Sequence, residues 1–259
     1  MNIITSPHNN LVKKLKSLST GKGRKRFGEF IAEGNKFVLN IPKGWEVAQM
    51  VFSESYARKA NSEIIYTAGS IILSDHIFSA VSDTVTPSGV IAVVKINEFS
   101  VEHILSCPKK FIVLACNLQD PGNMGTLIRT ANAAGASGVI VSKDSVDIWS
   151  PKVVRATAGS LFNIPITTAD IEAVVKILKN NGYTLIAADL SADKTPYQVN
   201  LKRPLALMIG NEANGLCNEI IAFSDIKVKL PMFGDVESLN ASIASGILMY
   251  EVLRQRMET

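Results

Sequence analysis

The sequence predicts an α/β protein whose C-terminal part is a mostly parallel sheet, preceded by a smaller α/β domain. The first observation is a tight unit. Phe111–Cys116 is an unbroken apolar run, Asp120-Pro121-Gly122-Asn123 is a turn, and Met124, Leu127, Ile128 and Ala131 then recur at helical spacing. Gly138-Val139-Ile140-Val141 restarts an apolar run, so strand, helix and strand follow one another as a parallel pair with its crossover. The second observation is that this alternation continues to the end of the chain, with about six strands interleaved with helices, as in a sheet covered on both faces. The third is that Asn97–Lys110 is polar, carries Pro108 and reads as a linker between residues 1–96 and 107–259.

In the first part, residues 9–18 read as a short helix with Leu11, Leu15 and Leu18 on one face and lysines on the other. A basic glycine-punctuated loop, Lys22-Gly23-Arg24-Lys25-Arg26, follows. Phe30-Ile31-Ala32, Trp45–Phe52, Ile64-Ile65-Tyr66 and Val90–Val94 are strands, and Lys36–Leu39, Ser53–Ala60 and Ser70–Ser82 are helical. In the second part Asn123 stands at an N-cap position, Gly135 ends that helix, and Arg129 lies beside its apolar stripe. Pro151–Leu161 is a helix with proline in its first turn, Asn163–Thr167 a strand, and Asp170–Asn180 a helix closed by Gly182. Tyr183–Leu190, Leu205–Ile209 and Ile226–Leu230 are strands, Asn214–Ala222 is helical, and Ser238–Arg254 is the last helix.

Composition excludes several classes. No apolar run approaches the roughly 18 residues that span a bilayer, and the N-terminus lacks the charged start and apolar core of a signal peptide, which makes a cytoplasmic protein the expectation. Cys107, Cys116 and Cys217 have no metal-ligand spacing, and Cys116 and Cys217 fall in apolar or helical contexts, so buried free thiols are expected rather than a disulfide or a zinc site. The net charge is +4, but the first 40 residues hold eight lysines and arginines against two glutamates. That basic front end is either a solvated surface or a polyanion-binding face, with Arg24, Lys25 and Arg26 as its candidate contacts.

Ligands of a parallel α/β sheet bind where loops leave the carboxyl ends of strands. Three such loops are unusual: Asp120–Gly125, Ile209–Leu216 and Leu230–Asn240. Each residue has a plain structural reading. Gly210 and Gly215 shape a turn, Glu212 suits a helix N-terminus, Ser238 is a good N-cap, and Asn240 bonds local backbone. Three such loops on one sheet are harder to dismiss. His8, His76 and His103 all lie outside them, which argues against a Ser-His-Asp hydrolase or a zinc enzyme. The Gly122–Gly125 spacing is not that of a dinucleotide fingerprint, and a nicotinamide-dependent oxidoreductase leaves the other two loops unexplained.

Asn123-Met124-Gly125-Thr126-Leu127-Ile128-Arg129-Thr130-Ala131 resembles the first motif of the SpoU (TrmH-like) RNA ribose methyltransferases of the SPOUT superfamily. Ile209-Gly210-Asn211-Glu212-Ala213-Asn214-Gly215-Leu216 is similar to the second, and Leu230-Pro231-Met232 with Ser238-Leu239-Asn240-Ala241-Ser242 to the third. Arg155-Ala156-Thr157-Ala158-Gly159 resembles an intervening segment, and the basic front with Phe30-Ile31-Ala32-Glu33-Gly34 resembles the small RNA-binding domain of many members. Ala213, Thr126 and Thr157 stand where glycine, alanine and serine are common, and none of these removes an assigned polar group.

The resemblance implies a C-terminal trefoil knot, a homodimer through the C-terminal domain, and S-adenosylmethionine as the cofactor, with neither metal nor membrane. It implies methyl transfer to a ribose 2′-hydroxyl in an RNA, directed to 23S rRNA by the basic N-terminal domain. The alternatives are a tRNA 2′-O-methyltransferase and an RNA-binding dimer that has lost catalysis. It places Arg129, Asn123, Glu212, Ser238 and Asn240 in catalysis, with Glu212, Ser238 and Asn240 ordering the site and holding Arg129. Gly210, Leu230, Leu239, Met232 and Ile209 would contact the cofactor. The final helix is apolar almost all round, which requires burial by its own sheet and a second subunit.

Overall fold

The structure, a computed structural model, describes residues 3–59 and 69–257, and the chain divides into two compact units. The first comprises Met1–Asn97 and Asp147–Phe162, the second Glu98–Val146 and Asn163–Thr259. The segment 147–162 thus belongs with the N-terminal unit, although the division read from the sequence put it in the C-terminal one. Among the described residues no helix is long and apolar enough to cross a membrane.

In the first unit the elements are β1 (Ile3–Ile4), α1 (Asn10–Leu18), α2 (Gly21–Phe27), β2 (Glu29–Glu33), α3 (Asn35–Val38), β3 (Val47–Ser53), α4 (Glu54–Lys59), β4 (Ile71–Leu73), α5 (Asp75–Val81) and β5 (Val90–Lys95). They form a five-stranded mixed sheet in the order β1-β4-β3-β5-β2. Side chains alternate across a strand. Ile31, Ile91 and Val93 therefore meet Val12, Leu15, Leu18, Ile77 and Phe78 of α1 and α5 in one core, while Phe30 points to the other side. There the returning segment supplies Trp149 and Phe162, whose rings lie 5.0 and 6.2 Å from that of Phe30. Trp45 joins them and donates its indole N–H to the Phe162 carbonyl at 3.0 Å.

Two expectations in this unit need correction. The basic run is helix α2, not a loop: Thr20 caps it by accepting from the Gly23 N–H at 3.1 Å, and Gly28 ends it at φ 63°. Gly23 is required there, because a Cβ would sit 1.9 Å from the Ser17 carbonyl oxygen. Ser70–Ser82 begins as β4, paired parallel with both β1 and β3, before α5 starts at Asp75. A short apolar run such as Ile71–Leu73 does not reveal by periodicity which it will be. The expected strand Ile64-Ile65-Tyr66 lies outside the described residues.

The rest of the chain runs α6 (Val101–Ser106), β6 (Phe111–Ala115), α7 (Pro121–Ala133), β7 (Gly138–Ser142), α8 (Pro151–Ala156, in the first unit), β8 (Ile166–Ala169), α9 (Ile171–Asn180), β9 (Thr184–Ala188), β10 (Leu205–Ile209), α10 (Asn218–Ile221), β11 (Ile226–Val228) and α11 (Ala241–Met257). The six strands of the second unit lie in the order β11-β9-β10-β6-β7-β8, and every pair is parallel. The expected linker holds a helix: Ser100 caps α6, and Ile104 is fully buried against Gly138. The chain leaves β6 in one direction across the sheet and returns on its other side at β10, so β6 and β10 flank the topological switch point, where such sheets bind ligands.

Candidate active site

The loops that follow β6, β10 and β11 are tied together by one chain of hydrogen bonds. In the first loop Asp120, not Asn123, is the N-cap of α7: its carboxylate accepts from the Asn123 N–H at 2.7 Å, with Pro121 in the first turn. The aspartate wins because proline fits the first helical position directly after it. Asn123 is thereby moved into the helix and buried, with its side-chain amide free to turn inward.

The second loop closes on itself. Asn211 and Gly215 exchange backbone hydrogen bonds of 2.8 and 2.9 Å, and the Asn211 side chain accepts from the Ala213 N–H and donates to the Asn117 carbonyl. The closure is so tight that a Cβ at Gly210 would lie 2.2 Å from the Gly215 carbonyl carbon. It presents Glu212 to the first loop. The Glu212 carboxylate accepts from the Gln119 and Asp120 N–H groups at 3.3 and 3.2 Å and from Asn123 Nδ2 at 3.0 Å. Burial pushes this carboxyl up, but those hydrogen bonds together outweigh it, so Glu212 lies below its ordinary value of 4.5.

The third loop enters through Asn240. Its Nδ2 donates to Asn123 Oδ1 at 2.9 Å, while its Oδ1 accepts from the Ser242 N–H and hydroxyl at 2.9 and 2.7 Å. Asn240, rather than Ser238, therefore caps α11, which starts three residues later than expected. Glu212, Asn123 and Asn240 form one satisfied network in which both ends of the Asn123 amide are engaged.

Between the second and third loops lies a cleft of ≈ 470 Å³. Ile209, Gly210, Leu230, Met232 and Leu239 all line it, together with Glu212 and Ser238. One wall was missed by the sequence reading: Asp189, Leu190 and Ser191 reach the cleft from the end of β9, the strand beside β10. The signal was available, since any polar loop after a strand adjacent to the switch point is a candidate. Gln119, Asp120 and Asn211 were also missed, because their contributions are backbone groups and turn closure.

The structure does not bring every candidate together. Arg129 is exposed on α7 and forms no hydrogen bond or ion pair among the described residues. Glu212 and Asn240 hold Asn123 instead of Arg129. Ser238 stands exposed at the cleft rim without a side-chain hydrogen bond among the described residues. Among the basic front residues Arg24 needs correction: it is 5% exposed, donates to both Leu18 and Ser19 carbonyls, and pairs with Asp147 at 2.6 Å. Its donors are consumed inside the unit, so it is not free to meet phosphate. Lys25 and Arg26 are exposed, with the Arg26 guanidinium 5.2 Å from the Phe27 ring. Cys116 is a buried thiol pushed up to about 12 mainly by that burial, whereas Cys217 is exposed, contrary to expectation. Among the described residues no cluster of His, Cys, Asp or Glu is placed to hold a metal ion.

Residues 110–250 match the SpoU rRNA Methylase family, and residues 9–92 match the MRM3-like substrate binding domain. The chain belongs to the SpoU rRNA Methylase family. Among its relatives is the Bacillus subtilis 23S rRNA (guanosine(2553)-2′-O)-methyltransferase RlmP, 32% identical, with 97% of this chain and 99% of that protein aligned. The AdoMet-bound rRNA methyltransferase from Sinorhizobium meliloti superposes with a TM-score of 0.88 at 30% identity, covering 98% of this chain and 97% of that one. The A. aeolicus TrmH/SpoU tRNA modifying enzyme is similar over 61% of this chain and 81% of its own, at 29% identity and a TM-score of 0.51. In this SpoU-family member, then, the three motif loops are the ones the network joins.

Proposed function

We propose that this chain methylates a ribose 2′-hydroxyl of 23S rRNA, with S-adenosylmethionine as methyl donor. The observation that carries the reading is the closure of all three motif loops, through Glu212, Asn123 and Asn240, beside one cleft. The cleft fits the donor: its volume lies in the range of small-ligand sites, and Ile209, Leu230 and Leu239 offer apolar walls for a flat ring. RlmP and the Sinorhizobium meliloti enzyme, which align with nearly the whole chain, are named for rRNA, while the A. aeolicus enzyme named for tRNA aligns with 61% of it. The enzyme would work in the cytoplasm, where no membrane attachment is needed.

When bound, the donor supplies an electrophilic methyl carbon. The chain's own residues hold the acceptor in line and stabilise the oxygen as its proton passes to water or to the substrate phosphate. Glu212 fixes the start of α7 and Asn123; Asn123 fixes Asn240 and through it the start of α11. Arg129, whose guanidinium keeps its donors free among the described residues, would meet the developing alkoxide and the neighbouring phosphate. Ser238 at the rim would complete the acceptor side.

The reading includes a homodimer. Ile243, Ile247 and Tyr250 recur along one face of α11 and are exposed in the single chain, a stripe suited to a second copy. It includes the trefoil knot, supported by the return of the chain after β11 to pack α11 on α7, where Gly246 lies against Thr130. Mapping 2′-O-methylation in total RNA from a deletion strain tests the function. One 23S position should lose its methyl group, and an unchanged rRNA pattern would overturn the assignment.

A further inference from the structure

We infer that Phe233 is the stacking platform for the base of the nucleotide being methylated. The inference deepens the proposed function and rests on it. Phe233 is 98% exposed, in a loop with no regular structure between β11 and α11. A phenylalanine so open to water offers its whole ring face to a partner. Its place decides the occupant. Met232 immediately before it and Ser238 five residues later both line the cleft, so the ring is carried by the loop that bounds it.

The charge around it narrows the choice further. Asp235 and Glu237 are exposed in the same loop, and two carboxylates beside the ring repel phosphate. RNA would therefore approach this loop with an uncharged base rather than with its backbone, and a base has a flat face for an aromatic ring. The apolar stripe that suits a second copy lies elsewhere, on the helix face carrying Ile243, Ile247 and Tyr250. A ribose alone offers little surface to hold, so anchoring its base fixes the 2′-hydroxyl against the donor.

The test uses the full-length protein, an unmethylated 23S rRNA transcript and labelled S-adenosylmethionine. Phe233→Ala should lower kcat/KM for the RNA about 10- to 100-fold, the range of one lost base stack, while donor affinity by calorimetry and mass by light scattering stay unchanged. Phe233→Trp should restore the rate and Phe233→Leu should not, because stacking needs a ring. With the mapped nucleotide made abasic in a short RNA, wild type and Phe233→Ala should react equally. Full activity of Phe233→Ala, or rescue by leucine, overturns the inference, and a halved mass assigns the ring to the subunit interface instead. If the wild-type protein itself transfers no methyl group to the RNA, the functional reading fails and this inference with it.

Discussion

The two ends of the six-stranded sheet are built on opposite terms. At the amino ends of β6 and β10 the chain is locked: Arg256, from the last turn of α11, donates to the carbonyls of Lys109, Lys110, Leu201 and Arg203 and lies 5.6 Å from the Phe111 ring. At the carboxyl ends the polar side chains hold one another and leave a cleft between them, while Arg129, farther along α7, has no partner among the described residues. An arginine whose fork is filled by carbonyls is a staple; one whose fork is empty is available for a ligand. The first unit repeats the contrast within a single helix, α2, where Arg24 is filled and Arg26 is open.

The largest expected effect is at the open end. Arg129→Lys keeps the charge but loses the planar fork. Methyl transfer should fall at least about a hundredfold, equivalent to about 2.7 kcal/mol, with donor binding and melting temperature unchanged. A variant that methylates RNA at nearly the wild-type rate would remove Arg129 from the site and erase the contrast. Arg256→Ala should do the reverse. It leaves four carbonyls without a charged donor, which costs about 2 kcal/mol and should show as a lower melting temperature by calorimetry. The specific activity of the protein that remains folded should be preserved, and unaltered melting would mean that Arg256 is no staple.

The second unit was largely legible in the sequence because its strands are buried on both faces and read as apolar runs, and because its loops carry unusual residues at strand ends. What was not legible is which partner each polar group chooses. Asn123 looked like a cap and an acceptor-binding residue, yet Asp120 out-competes it for the cap, and Glu212 and Asn240 take both ends of its amide. In the first unit the misreading went further. A run of glycines and cations gives no hydrophobic period, so α2 looked like a loop, and nothing local announces that Arg24 meets Asp147, 123 residues away. Contacts of that sequence separation are set by the tertiary fold, not by local pattern.

Glu212 sharpens the description of the open end at a smaller scale. Its carboxyl is lower in the folded chain than its ordinary value of 4.5, so the stability it contributes is fully present above that value and is lost as pH falls through the lower folded one. Glu212→Gln replaces one of the two acceptor oxygens with a donor, so that either the Gln119 N–H or the Asp120 N–H and Asn123 Nδ2 lose their acceptor, and should cost about 1 kcal/mol at neutral pH. The gap between wild type and variant should narrow as the pH is taken below 4.5, where the wild-type carboxyl becomes protonated. Urea titrations at two pH values measure it. A gap that is the same at both would mean that the loops are closed by something other than this carboxylate.

The smallest effect separates the two arginines of α2. Arg26 is exposed and lies over the Phe27 ring, so its removal takes away no internal carbonyl contact. If it meets phosphate, Arg26→Ala should weaken RNA binding by well under tenfold and reduce the slope of log affinity against log salt by about 0.7 to 0.9, the share of one neutralised phosphate. The melting temperature should not move. Arg24→Ala should show the converse pattern: it strips the donors from the Leu18 and Ser19 carbonyls and leaves Asp147 unpaired, so the protein should melt earlier. In the protein that remains folded, the salt slope should be that of wild type, because Arg24 already spends its charge on Asp147. A reduced slope in Arg24→Ala would show that this ion pair opens to RNA.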